Sequence, residues 1–183
     1  MEVKKSNSVL HNNKGNGFPL AVAVTLALVL IFTGISEYFR LMIIAKGVQE
    51  ALQSAVISTV SDNYDEVYHG VREGYSGGYQ PIASEFEESL DYGDIYERLA
   101  IILGLTDNEE YSSKITEDGK TEFTISDLEV EITNAPFATS DQTEHRFRID
   151  STIQLEVPVS FAGKQLPSMK IKVRTSAGYT PKF

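Results

Sequence analysis

The chain has 183 residues and a formal net charge of −10, a size that suits one membrane element and one modest soluble domain. It contains no cysteine, which excludes a disulfide framework, a thiolate nucleophile, cysteine-ligated zinc and a lipoprotein anchor. Residues 1–37 carry three Lys and two Glu, a net charge of +1, so the remaining residues carry −11. An acidic domain of this kind repels nucleic-acid phosphates, and we expect no nucleic-acid partner.

Phe18–Ser36 is a run of 19 residues without a charged side chain. At about 1.5 Å per residue, a helix of this length covers roughly 28 Å, close to the hydrocarbon thickness of a bilayer. A secretory signal peptide has a shorter apolar region followed by small residues at a cleavage site, whereas here Glu37-Tyr38-Phe39-Arg40 follows. The sequence therefore predicts a retained transmembrane helix over residues 18–37, in contact with membrane lipid.

The charges that flank this segment favour one orientation. Lys4, Lys5 and Lys14 precede the span, whereas Arg40 and Lys46 follow it. This is a weak bias toward an N-terminus in the cytoplasm. We expect a single-pass protein of the cell membrane, with a basic and polar cytoplasmic leader over residues 1–17 and an extracytoplasmic C-terminal domain.

An apolar stripe continues beyond the span at steps of three and four residues: Leu41, Ile44, Ala45, Val48, Leu52, Ala55, Val56 and Val60. It predicts an amphipathic stalk helix over residues 38–72, continuous with the span. Gly34 and Gly47 either permit close approach of a neighbouring helix in lipid or are incidental residues of a plain tilted anchor. Glu37 and Arg40 can pair on one helix face, either as an assembly contact or as an ion pair at the membrane interface.

Residues 73–183 predict an extracytoplasmic α+β domain. His69–Pro81 is rich in glycine and predicts a loop that ends the stalk. Ala83–Leu105 has helical spacing, and Asp91-Tyr92-Gly93-Asp94 is expected to divide it into two short helices with Asp94 as the second N-cap. The same cluster of Asp residues lacks the ligand spacing of a calcium loop.

Beyond Asn108 the apolar period changes to two. Asp118-Gly119 predicts a hairpin turn between strands at Tyr111–Ile115 and Thr121–Ile125. Further strands are predicted around residues 128–132, 147–161 and 169–173, with a bulge or bend near Ser151-Thr152. Basic side chains of the last strand are expected to face acidic ones across the sheet: Lys170, Lys172 and Arg174 against Glu129, Glu131 or Glu156. The predicted fold class is α+β, in which a long N-terminal helix is followed by short helices and a 4–5-stranded antiparallel sheet.

No catalytic set is recognisable in the sequence. His11, His69 and His145 lack Asp, Glu or His partners at metal-ligand spacing. No nucleophile elbow, phosphate-binding loop or zinc-protease motif occurs. We therefore expect no enzymatic activity, no metal and no cofactor.

Gly17-Phe18 before an apolar stretch, and then "GISEYFRLMIIAKGVQEALQSAVISTV", resembles the N-terminal region of TadE/TadG-like proteins of Tad (tight adherence) pilus systems. The similar positions lie within Gly17–Val60, about a quarter of the chain: Glu37, Arg40, Gln49, Ala51, Leu52, Gln53 and Ala55. The resemblance implies a pilin-like architecture. It also implies a minor pilin-like or accessory subunit of a Tad-like pilus or secretion apparatus, with protein partners bound through the N-terminal helix.

The resemblance to type IV pilins marks the bond between Gly17 and Phe18 as a candidate processing site. It makes Gly34, Glu37, Arg40 and Gly47 candidate contacts for helix assembly. In type IV pilins the fifth residue after the cut is Glu, whereas here it is Val22, and Pro19 occupies the second position. These departures favour an accessory subunit over a polymerising major pilin. The alternative is a membrane-anchored extracytoplasmic domain that binds a ligand or a partner outside any pilus.

Overall fold

The computed structural model describes residues 17–66, 78–107, 111–135 and 147–178. The helices are α1 (Phe18–Glu66) and α2 (Ile95–Leu103). The strands are β1 (Tyr79–Ile82), β2 (Glu85–Glu88), β3 (Thr106–Asp107), β4 (Ser112–Ile115), β5 (Thr121–Thr133), β6 (Arg148–Phe161) and β7 (Lys164–Gly178). This arrangement confirms the predicted α+β class with its long N-terminal helix.

Helix α1 has 49 residues and is continuous through both Gly34 and Gly47. Pro19 lies in its first turn, where the missing N–H has no intrahelical partner to lose. The predicted stripe is the buried face of the second half of the helix: Ile44, Val48, Ala51, Leu52, Ala55, Val56 and Val60. Residues 67–72 of the predicted stalk, and most of the predicted His69–Pro81 loop, lie outside the described residues; Tyr79–Pro81 belong to β1.

The main sheet is an antiparallel meander in the order β3-β4-β5-β6-β7. Four of its strands are longer, and the two-residue β3 extends one edge. Its inner face packs on α1 and α2 through one apolar cluster, which includes Phe123, Ile125, Phe147, Ile149, Ile153, Leu155, Val157 and Val173. The second half of α1 is therefore the central element of the domain core, because it is covered by β6 and β7 on one side and by α2 on another.

One local prediction for the sheet is confirmed, and a second is confirmed for Lys170 but not for Lys172 and Arg174, which lie opposite Gln154 and Thr152. The turn between β4 and β5 is closed by hydrogen bonds from Thr116 N to Lys120 O (2.8 Å) and from Gly119 N to Thr116 O (2.9 Å). Lys170 lies opposite Glu156, and their side chains form an ion pair at 3.2 Å. The other predicted acidic partners, Glu129 and Glu131, lie on β5, which is separated from β7 by β6, so they do not face the basic residues of β7 directly.

The bulge predicted near Ser151-Thr152 is wrong in its location. Strand β6 alternates regularly there, and Ser151 is buried in the same row as Ile149 and Ile153. The bulge lies in the partner strand β5, whose pairing with β6 shifts by one residue between Ser126 and Glu129. Asp127, within this bulge, has a positive φ of 52°. The extra residue reverses the alternation of β5, which buries odd-numbered positions before it and even-numbered positions after it.

The first of the two short helices predicted within Ala83–Leu105 is also wrong. Residues 79–88 form an antiparallel hairpin that reverses at Ala83, whose φ is +57°. Pro81 disfavours the helical conformation of the residue before it. The contacts that hold the hairpin come from far along the chain: the Asn134 side chain bonds Gly78 N at 2.9 Å and Glu88 Oε1 at 2.8 Å. A tertiary contact therefore overrides the helical spacing of this segment.

The second predicted helix is confirmed as α2. The Asp94 carboxylate accepts a hydrogen bond from Glu97 N at 2.7 Å, as expected of an N-cap. Asn63, near the end of α1, holds the segment before α2 by donating to Asp91 O at 2.6 Å and accepting from Asp91 N at 2.8 Å. These two bonds reproduce the pairing of a neighbouring strand, and they place α2 on the buried face of α1.

Candidate membrane interface

The first third of α1 is exposed on all sides in the described part of the chain. Residues 17–32 are all exposed, with Phe18 at 69% and Leu20 at 70% relative accessibility. Among the described residues, one helix, near the N-terminus, is long and apolar enough to cross a membrane, and none of its most apolar window is buried. An apolar surface of this extent requires lipid or apolar partners around it. The helix fits a single-pass membrane protein.

Exposed apolar side chains continue past the uncharged run on the side of α1 that faces away from the sheet. They include Tyr38, Phe39, Met42 and Ile43. The rings of Tyr38 and Phe39 lie 6.0 Å apart between centroids. Aromatic residues at this position are typical of the boundary between hydrocarbon and headgroups. Lys46 then ends the apolar patch.

On its other side, α1 meets the turn between β6 and β7. Ala162 and Gly163 form this two-residue turn with φ of +50° and +77°, as in hairpins of type I′. The ring atom Phe161 Cε2 lies 3.6 Å from the position that a Cβ on Gly34 would occupy. The aromatic ring therefore packs over Gly34, at a distance that leaves room for a Cβ in ordinary van der Waals contact.

Glu37 and Arg40 form the polar part of the same junction. Arg40 binds Glu37 through two nitrogen–oxygen contacts, of 2.8 Å and 3.1 Å. The guanidinium also donates to Pro158 O at 2.5 Å, and the Glu37 carboxylate accepts from Ser160 N at 3.1 Å. Because the pair satisfies two backbone groups of β6 and is itself charge-assisted, it fixes the position of the hairpin relative to α1.

The structure brings together three of the predicted assembly residues and separates the fourth. Gly34, Glu37 and Arg40 all contact the β6–β7 hairpin. Gly47 lies on an exposed part of α1 and has no atom within 4 Å of a Cβ placed on it. At the predicted processing site, Gly17 O accepts the first helical hydrogen bond from Ala21 N at 2.9 Å, and Phe18 begins α1.

Sequence reasoning missed Pro158, Ser160 and Phe161 as partners of the helix. Gly163 between two apolar strands is a turn signal that could have located the hairpin. No signal in the sequence shows where along α1 the turn lands, because the contact joins residues 118 positions apart.

The described residues hold no group of three or more His, Cys, Asp or Glu side chains that could bind a metal ion. Asp118 and Asp150 each form an ion pair on the surface of the sheet. Lys120, with help from Thr116, lowers the pKa of Asp118 to about 2, and Arg148 lowers the pKa of Asp150 below its ordinary value. Both pKa shifts are therefore explained by ion pairs on the surface of the sheet. His11, His69 and His145 lie outside the described residues, so the prediction of a non-catalytic protein stays a prediction.

Comparison of the chain with protein-family models, with curated proteins and with solved structures gives no match. The similarity of residues 17–60 to TadE/TadG-like proteins therefore stays a prediction. Within the described residues, the fold and the interface define a protein in which one candidate membrane span continues as the same helix into an α+β domain.

Proposed function

We propose that this chain is a non-catalytic single-span membrane protein that acts as a minor pilin-like or accessory subunit of a Tad-like pilus or secretion apparatus. One observation carries the proposal: α1 is a single helix whose first third is exposed and apolar and whose second half packs on an antiparallel sheet. This division suits a subunit that offers its N-terminal helix to lipid and to neighbouring helices. The resemblance of Gly17–Val60 to TadE/TadG-like proteins supports the same function.

In the proposed topology the N-terminus lies in the cytoplasm, because Lys4, Lys5 and Lys14 precede the span, and the acidic domain lies outside. Neighbouring subunits contact the exposed side of α1. Met42, which points away from the sheet and is exposed, lies on that side. No metal or cofactor takes part.

Single-cysteine cross-linking tests this proposal cleanly because the chain has no cysteine of its own. Met42→Cys is expected to cross-link to a second copy or to a pilus or secretion component in native membranes. Ile101→Cys is the control, since this side chain on α2 is more accessible than Met42 (72% against 47%) but lies on the domain surface. Recovery of only the monomer from both variants would contradict an assembly role.

The mass of the mature protein tests the processing site separately. Loss of the first 17 residues supports cleavage between Gly17 and Phe18 as in prepilins. An intact N-terminus leaves the helix as a permanent anchor.

The alternative is a membrane-anchored domain that binds a ligand or partner outside any pilus. One observation favours it: Glu37 and Arg40 make their hydrogen bonds to the hairpin of their own chain. They are therefore not free to align neighbouring subunits. Monomeric recovery together with an intact N-terminus is the result that this alternative expects.

A further inference from the structure

We propose that the tip of the β6–β7 hairpin, residues 160–166, inserts into the bilayer interface beside the span and forms a second membrane contact of the domain. This inference rests on the proposed membrane span. The partner is the lipid surface itself, with the apolar side chains of the tip among the upper acyl chains and Lys164 at the headgroup phosphates.

The tip meets α1 at the level of the uncharged run. Ala162 and Gly163 line a shallow groove together with Val29, Phe32 and Thr33, which belong to the uncharged run. Val29 lies seven residues before Ser36, which is about 10 Å along a helix axis. If the uncharged run occupies the hydrocarbon layer, a hairpin that packs on Gly34 and lies beside these residues enters the membrane boundary from the side.

The polar junction between α1 and β6 restrains the tip. The hydrogen bonds from Arg40 to Pro158 O and from Ser160 N to Glu37 hold the hairpin at a fixed height on α1. Phe161 packs against Gly34 below them. The tip therefore cannot avoid the interface by swinging outward without breaking the polar junction.

The tip combines exposed apolar side chains with one cation. Phe161 and Leu166 are 37% and 47% exposed, although both are large and apolar. Residues 157–178 contain no Asp or Glu, in a chain whose net charge is −10, and Lys164 is the charged residue nearest the turn. Apolar side chains with one flanking cation are the composition that favours the interface of an anionic bilayer.

Tryptophan scanning tests the inference because the chain contains no Trp. The full chain carries Phe161→Trp and is reconstituted into vesicles of phosphatidylcholine with a minority of phosphatidylglycerol. Bromines placed on the acyl chains near the glycerol are expected to quench this Trp. Leu26→Trp, in the middle of the span, is expected to respond to bromines placed deeper. Ile101→Trp, on α2 far from the junction, is expected to respond only to aqueous iodide.

The outcomes separate the two proposals. Quenching at position 26 without lipid quenching at position 161 would overturn the inserted hairpin and leave the span intact. Absence of lipid quenching at position 26 would overturn the span and the inserted hairpin together. Protection of position 161 from both bromine and iodide would mean that protein covers the tip, and would also overturn the inference. Leu166→Trp repeats the measurement where Phe161→Trp disturbs the packing on Gly34.

Charge reversal tests the assignment of Lys164. In the Phe161→Trp background, Lys164→Glu is expected to reduce the lipid quenching on anionic vesicles, because it places a carboxylate among phosphates. Lys172→Glu is the matched control on the same strand, eight residues further from the turn, or about 26 Å in an extended strand. Equal quenching in the two variants would overturn the placement of Lys164 at the headgroups.

Discussion

Replacement of Leu52 by alanine tests whether the second half of α1 is the core of the domain. Leu52 is completely buried, and it lies in the apolar cluster that joins α1, α2 and the inner face of the sheet. Ile57 is a matched control because it lies on the same helix, five residues later, with 47% of its surface exposed. We expect Leu52→Ala to destabilise the domain strongly and Ile57→Ala to have little effect.

The expected loss in the free energy of unfolding follows from how deeply each side chain is buried. Truncation of leucine to alanine removes three carbons, and at about 0.8 kcal/mol per buried carbon the lost transfer free energy is about 2.4 kcal/mol. A cavity in a closed core adds to this, so a total loss of about 3–4 kcal/mol is expected for Leu52→Ala. At a half-exposed site no closed cavity forms, and alanine has the higher helix propensity, so the loss for Ile57→Ala should stay below about 1 kcal/mol.

Urea unfolding of the full chain in detergent micelles measures both values. Near-ultraviolet circular dichroism of the nine tyrosines reports the tertiary packing of the domain rather than the helicity of the span. An unchanged denaturant slope with a lower midpoint is the expected signature for Leu52→Ala. Equal losses for the two variants, or a loss below about 1 kcal/mol at Leu52, would refute the placement of α1 in the core.

Two further predictions concern the turns and the surface ion pairs. Gly93→Ala should destabilise the domain by more than about 1 kcal/mol, and by more than Gly119→Ala. Both residues have a positive φ, but only at Gly93 would the new Cβ meet Thr59 Oγ1, at 2.9 Å. Equal unfolding midpoints for the two variants would contradict this prediction. Because Lys120 lowers the pKa of Asp118 to about 2, its stabilising pair is complete above the unfolded pKa of about 3.9 and is lost as pH falls toward 2. NMR titration should place the midpoint of Asp118 near 2 and raise it in Lys120→Ala, and an unshifted midpoint in that variant would exclude Lys120 as the cause.

Local signals in the sequence predicted the elements whose determinants are local. The three-and-four spacing from Ile44 to Val60 identifies the buried face of α1, because one helix face is enough to define it. Asp94 and the Asp118-Gly119 turn act within three or four residues of themselves, and both were predicted. The reversal of alternation in β5 is also visible in the sequence as the change from Phe123 and Ile125 to Leu128, although the bulge was predicted in the wrong strand.

The contacts that define the candidate interface could not be predicted in this way. Asn134 converts a segment with helical spacing into the β1–β2 hairpin across 56 positions of the chain. Glu37 and Arg40 were predicted to pair with each other, and they do. Their bonds to Pro158 and Ser160 depend on the length and register of two strands, which no local pattern determines.

The position of the hairpin also restricts how α1 can contact a neighbouring subunit. Phe161 already packs on Gly34, so a second helix could use that glycine only after displacing the hairpin and breaking the Glu37–Arg40 junction. At about 100° per residue, Phe39 and Met42 lie roughly 160° and 140° around α1 from Glu37, on the side away from the junction, where both are exposed. An assembly built through this level of α1 must therefore use the side of Phe39 and Met42. That side carries no charged residue until Lys46, so apolar packing at the membrane boundary has to supply the affinity.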